Sequence, residues 1–304
     1  ERKSIDFLSK RNICFAVSLA LIVAGFVFMG ANSARGQGAF AYSLEFEGGT
    51  ATNVTFNEDY SIEEIDEKIV PVVEEVTGDA NVQTQKVTGT NQVIIKTVTL
   101  DLAEREALNA ALAEEFGVDE AQITAENISS TVSSEMRRDA IIAVIVATIC
   151  MLLYIWFRFK DIRFATSAVA ALLHDVLVVL AFYGVARISV GNTFIACMLT
   201  IVGYSINATI VIFDRIREEL HYGGARADLK ELVNKSITQT LTRSIYTSLT
   251  TFIMVAVLFV MGVSSIREFA LPLMAGIICG AYSSVCITGA LWYVMRQKAA
   301  KVKS

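Results

Sequence analysis

Proline and histidine are nearly missing from this 304-residue chain, with two of each. The histidines, His174 and His221, lie in separate segments, and no cysteine pair has metal-ligand spacing. No zinc or iron motif is therefore written into the sequence, and no metal or cofactor is expected. The five cysteines, Cys14, Cys150, Cys197, Cys279 and Cys286, all fall in apolar runs and read as small packing residues. None lies in the polar block 32–138, so that block is not built on disulfides. No lysine follows a glycine-rich loop, which leaves no P-loop. Charge is scarce too. Only 19% of residues are charged and 54% are hydrophobic, against about 25% and 45–50% in soluble domains. These proportions indicate a membrane protein rather than an enzyme of the aqueous phase.

The acidic residues are concentrated. Block 32–138 holds 20 Asp and Glu against 7 Lys and Arg, a net of −13, while the rest of the chain carries +8. Phosphate binding needs a basic face, so nucleic acid is not the partner of this block. An ordinary solvated surface accounts for its charge better than a site for a basic ligand.

A spanning helix needs about 20 mostly apolar residues. Six segments meet that need: 13–31, 140–157, 162–184, 190–213, 245–263 and 269–295. Basic residues mark the cytoplasmic side. They cluster at Arg2, Lys3, Lys10 and Arg11; at Arg158, Lys160 and Arg163; through the link 214–243; and at Arg296, Lys298, Lys301 and Lys303. Both termini are then expected in the cytoplasm, with 32–138 outside. The first apolar run is longer than a signal-peptide core and is expected to stay as a span. The domain plan is thus 1–31 as tail and first span, 32–138 as an outer domain, and 139–304 as five more spans with a cytoplasmic segment at 214–243.

In the outer block, 50–56 alternates as a strand. Ser61-Ile62-Glu63-Glu64 is a capping box opening a helix over 61–76. Segments 81–87 and 92–98 form a hairpin around Thr88-Gly89-Thr90-Asn91, 101–116 is a second helix ended by Gly117, and 121–128 is a last strand. The order β-α-β-β-α-β is the ferredoxin-like, α+β pattern. Just before it, Gly48-Gly49 marks a turn or a close backbone approach.

Polar groups inside a span normally face the bundle interior or water. Asp175, beside His174, is an acid in the third span; a structural pair bonded to a neighbouring helix and a part in moving ions or protons both fit it. In the fourth span, Gly203, Asn207, Val211 and Asp214 recur at helical spacing, with Thr209 among them. In the fifth, Arg243, Thr247, Thr250 and Thr251 share a face expected to meet the polar part of the fourth. Gly276 and Gly280 form a GxxxG for close helix contact, and Pro272 is expected to bend that helix near its outer end.

Several motifs in order resemble one family. These are "FEGGT" (46–50), "YIWFRFKDIRFA" (154–165), "ALLHDVLVV" (171–179), "GYSINATIVIFDRIREE" (203–219), "SITQTLTRSIYTSLTT" (236–251) and "IREFALPLMAGIICGAYSS" (266–284). They are similar to those of SecF proteins, or the SecF half of fused SecDF proteins, of the resistance-nodulation-division type. The resemblance implies Gly48, Gly49, Asp214 and Arg215 as motif residues. It implies a polytopic α-helical fold with six spans, paired with SecD beside SecYEG. There the pair promotes late, proton-motive-force-dependent export of SecA-driven preproteins, with YajC as a further associate. Half of a small-molecule or lipid exporter and a membrane scaffold are the competing readings.

The chain departs from the family at one place. Asn-Asp-Thr is usual where it has Asn207-Ala208-Thr209, and the missing Asp is the proposed proton carrier. Arg243 is kept, with Tyr246 where Asn is usual. Three readings follow: SecD supplies the acid against Arg243, Asp175 substitutes, or Ala208 leaves the protein uncoupled. The first is preferred.

Overall fold

The structure, a computed structural model, describes residues 4–34, 38–80, 82–87, 89–223, 228–262 and 264–302. Arg2, Lys3, Asn81 of the expected hairpin, Thr88 of its turn, residues 224–227 of the charged link, Val263 and Lys303 lie outside the described residues.

In chain order the main elements are α1 (Arg11–Ala34), β1 (Gly49–Thr55), α2 (Val70–Thr77), β2 (Gln83–Lys86), β3 (Gln92–Thr97), α3 (Leu102–Phe116), β4 (Ile123–Ile128), α4 (Ser130–Phe159), α5 (Ile162–Ala186), α6 (Asn192–Gly223), α7 (Leu229–Met261), α8 (Ser264–Ser283) and α9 (Gly289–Val302). The chain divides into two compact units, Tyr42–Ile141 and the remainder.

In the smaller unit four antiparallel strands lie in the order β2-β3-β1-β4. Helices follow β1 and β3. A one-turn helix Ile62–Glu64 and a π turn Ile65–Ile69 lead into α2. The Ser61–Glu64 capping box is formed, and the Ser61 amide holds the Glu64 carboxyl below its ordinary pKa. Apolar residues at alternate strand positions (Val54, Val93, Ile95) meet Ile69, Val73, Leu108 and Leu112 in one core. Gly48 and Gly49 adopt φ of +79° and +115°. A Cβ on Gly49 would run into the Thr97 carbonyl oxygen, so the pair serves both as turn and as close approach. Thr50 beside them donates to Asn127 and accepts from the Leu100 amide at 2.8 Å, which ties β1 to the chain entering α3.

The other unit supplies helices long and apolar enough to cross a membrane. With α4, which leaves the smaller unit without a break, there are six such helices among the described residues. One differs from expectation: helix α4 begins at Ser130, ten residues before its apolar run, because nothing in the polar stretch stops a helix. The link 214–243 is helical on both sides: α6 continues to Gly223, and α7 starts at Leu229 on an Asp228 cap. Pro272 sits within α8, and a π turn, Ser284–Thr288, joins α8 to α9.

Small residues set the helix spacing. Gly25 lies against Ala181, Gly184 against Met29, and Gly276 against Ile201. Gly280 has Tyr204 and Ser205 about 3.4–3.6 Å from where its Cβ would stand. Gly203, expected as a packing glycine, has open space where a Cβ would stand. Near the start of the chain, Asn234 of α7 accepts from the Phe7 and Leu8 amides at 3.1 Å and donates to Asp6 at 2.9 Å. A side chain from another helix thus caps the first turn ahead of α1. Ser9 and Lys230 hold the Asp6 carboxyl well below the usual carboxylate range.

The two kinds of positive-φ glycine should separate in hydrogen exchange of the smaller unit's core amides in the full-length protein. Gly78 has φ +67° and open space, so Gly78→Ala is expected to cost about 1–2 kcal/mol. Gly49→Ala adds a collision with the Thr97 carbonyl and is expected to cost more than about 3 kcal/mol.

Candidate functional site

Two polar clusters lie in the membrane-spanning part, on opposite sides of α6. The first centres on Asp175 of α5, which is fully buried. Its Oδ2 accepts from Ser205 Oγ of α6 at 2.5 Å and from Ser283 Oγ of α8 at 2.7 Å. Its Oδ1 meets His174 Nδ1 at 2.9 Å and Cys279 Sγ at 3.2 Å. A carboxylate offers about four acceptor sites, and all four are used. Local geometry explains the convergence. Cys279 and Ser283 are one helical turn apart on α8 and share a face. Gly276 on that helix lets α6 approach closely enough to bring Ser205 in.

The second cluster lies between α6 and α7. Tyr204, Asn207, Ala208 and Val211 form one stripe of α6 at i, i+3, i+4 and i+7. Arg243, Ser244, Thr247 and Ser248 of α7 face them around a cavity of about 80 Å3. Tyr204 Oη donates to Ser248 Oγ at 2.6 Å across the cleft. Thr247 turns back to the Arg243 carbonyl at 2.8 Å, and Thr250 and Thr251 likewise bond to their own helix. Asn207 and Arg243 remain exposed at the cavity mouth. No carboxylate is among the residues lining this cavity.

The polar groups singled out in the sequence thus fall into two clusters. Residues 205 and 207 lie about 200° apart around a helix, so Ser205 turns to Asp175 while Asn207 turns to Arg243. Asp175 is not in the lining of the Arg243 cavity, and Thr209, buried elsewhere on α6, belongs to neither cluster. Asp214 and Arg215 sit further along α6 in ion pairs. Asp214 meets Arg158 at 3.0 Å, and Arg215 bridges Glu218 at 2.5 Å, Glu219 at 2.7 Å and Gln239 at 2.6 Å. Gly48 and Gly49 belong to the other unit.

Sequence reasoning marked Ser205 as a polar group in the fourth span without its pairing to Asp175, and it missed Cys279 and Ser283 at the first cluster and Tyr204 and Ser248 at the second. A signal existed for the first. A buried acid requires donors, and the face of α8 carrying Gly276, Gly280, Cys279 and Ser283 was the place to seek them.

The family described as "Protein export membrane protein SecD/SecF, C-terminal" matches residues 108–298. The chain is 36% identical over 258 residues to the protein translocase subunit SecF of Sebaldella termitidis, covering 85% of this chain and 83% of that one. It is 34% identical over 290 residues to SecF of Petrotoga mobilis, covering 93% of each. Among solved structures it is similar to the crystal structure of SecDF from Thermus thermophilus, "a translocon-associated membrane protein", with TM-score 0.82 and 31% identity. That match covers 98% of this chain, and the chain spans 39% of the SecDF chain.

Stability measurements separate the clusters. Ser205→Ala leaves a buried carboxylate lone pair without its donor and is expected to cost about 1.5–3 kcal/mol. Ser248→Ala removes a neutral bond between helices and is expected to cost about 0.6 kcal/mol. Thermal denaturation in one detergent checks the difference; equal shifts would mean the Asp175 cluster is not held as described.

Proposed function

The chain belongs to the SecD/SecF protein-export family, and on that premise we propose that it is the SecF-type accessory subunit of the bacterial Sec translocase. Its curated relatives carry that role, which outweighs the exporter and scaffold readings. It acts with SecD, the partner to which fused relatives join this half covalently. The wider setting is SecYEG, preproteins driven by SecA, and YajC. Work is drawn from the proton-motive force across the inner membrane, and the chain itself carries out no catalysis.

The smaller unit is a ferredoxin-like domain on the outer side, corresponding to the block 32–138. Its strand order β2-β3-β1-β4, with helices after β1 and β3, supports that reading. Both termini lie in the cytoplasm, in keeping with the basic residues near each.

The observation that carries the mechanism is the cavity lined by Asn207, Ala208 and Arg243. It holds a positive side chain and a non-titratable residue where the family's acid is expected. Arg243 is exposed at its mouth rather than tucked inside this unit. SecD therefore presents the titratable carboxylate to Arg243, with Asn207 and Thr247 as polar neighbours. Protonation releases that carboxylate from the guanidinium, and deprotonation draws it back. Helix–helix contact then changes with proton occupancy. Asp175 serves as the structural node behind this surface. Moving one charge through 100 mV yields about 2.3 kcal/mol, equivalent to roughly 50-fold in a rate.

Export in a SecF-deficient host tests this reading. Arg243→Gln is expected to slow proton-dependent late export by about 10- to 50-fold while leaving ATP-driven early steps unchanged. Ala208→Asp, which restores an acid in this chain, is expected to raise the proton-dependent rate. Export by Arg243→Gln at the unsubstituted rate would overturn the coupling. Purification without any SecD would overturn the partnership.

A further inference from the structure

The residues around Asp175 use only part of their chemistry as a hydrogen-bonded node. We propose that His174, Asp175 and Cys279 form a binding site for a divalent transition metal of the Zn2+ class. The ligands are His174 Nδ1, Asp175 Oδ1 and Cys279 Sγ.

Geometry is the first argument. Bonds of about 2.0 Å to N or O and 2.3 Å to S, at tetrahedral angles, place ligand atoms about 3.3–3.5 Å apart. The three separations here are 2.9 Å (N to O), 3.2 Å (S to O) and 3.9 Å (S to N). Shifts of roughly 0.4 Å convert the cluster into three corners of a tetrahedron. Rotamer adjustment alone covers that distance.

The second argument is the division of labour on the carboxylate. Ser205 and Ser283 hold Oδ2 at 2.5 and 2.7 Å, and that leaves Oδ1 pointing at the nitrogen and the sulfur. Outer donors that orient a ligating carboxylate are what a metal site requires.

Charge is the third. A divalent ion with an aspartate and a thiolate is neutral overall, the form in which ions tolerate a membrane interior. Binding converts M2+ + Cys279–SH into M2+–S–Cys279 + H+; the S–H bond breaks, the S–M bond forms, and the proton leaves to solvent. His174 binds as the neutral tautomer carrying its proton on Nε2.

The fourth is room. His174 and Cys279 line a cavity of about 720 Å3 between α1, α5 and α8 that also carries the Ser18 and Tyr282 hydroxyls. A fourth ligand, such as water, fits there beside the ion. Three protein ligands and one open position match sites of the reactive type rather than closed structural ones. This inference does not depend on the Arg243 cavity or on the proton coupling.

The test uses full-length protein in detergent, stripped with a chelator and titrated with Co2+. One Co2+ per chain is expected, with visible ligand-field bands, a near-ultraviolet thiolate-to-cobalt band, and release of one proton per ion. Zn2+ should displace the Co2+ and raise the melting temperature. Cys279→Ser is expected to remove the thiolate band and weaken binding at least about 10-fold, and Ser283→Ala to weaken it about 10–100-fold with the band kept. Cys14→Ser and Cys286→Ser should leave the spectrum unchanged. Absence of saturable binding overturns the site, as does a thiolate band that survives Cys279→Ser. If Cys279→Ser does not fold, His174→Gln decides the matter in the same titration: unchanged affinity overturns the proposal.

Discussion

A single carboxylate organises the membrane half of this protein. Asp175 is fully buried, and an unpaired charge at that depth would cost several kcal/mol. Its donors come from α5, α6 and α8, so none of these helices can slide past another without stranding it. The glycine at 276 serves that constraint, because a Cβ there would run into Ile201 of α6, whereas one at 280 would make only ordinary contact with Tyr204 and Ser205. A π turn follows directly after Ser283. Thr288 adds a bond from its hydroxyl to the Ser283 carbonyl at 3.1 Å.

Around this fixed core the outer helices are left open. α4 and α7 expose large apolar side chains along most of their length, including Ile141, Ile145, Trp156, Ile253, Met254 and Val257. Bilayer or partner covers such faces, and α7 adds the polar stripe with Arg243 and Thr247. α7 packs along α6 and α8, with Leu232, Val233 and Ile237 in the apolar core and Ser248 bonded to Tyr204, and it turns its polar stripe outward. At the start of the chain the Asn234 cap and the Asp6 to Lys230 pair tie the beginning of α7 to the beginning of α1.

The smaller unit rests on a different device. Positive-φ glycines at 48 and 49 let β1 start hard against β3, and Thr50 and Asn127 then lock the neighbouring loop through Leu100. Strand order, capping boxes and the apolar alternation all point to the same arrangement, which is why its elements could be read from local patterns.

Local physics determined much of this protein without reference to the fold. The six apolar stretches, the acidic block, the capping box at Ser61 and the need for glycine at 48–49 follow from hydropathy, charge and backbone sterics, all of which act within a few residues. The companions of Asp175 were a different matter. Ser205 lies 30 residues away and Cys279 and Ser283 more than 100, and no periodicity connects them. Tertiary structure decided that Asn207 and Ser205, neighbours in the sequence, serve different clusters, because a helix turns about 100° per residue and two residues on is nearly the opposite face. It also decided that the Arg243 cavity has no acid of its own in its lining. Whether a charge has a partner depends on distance in space, and only the packing of the helices sets that distance.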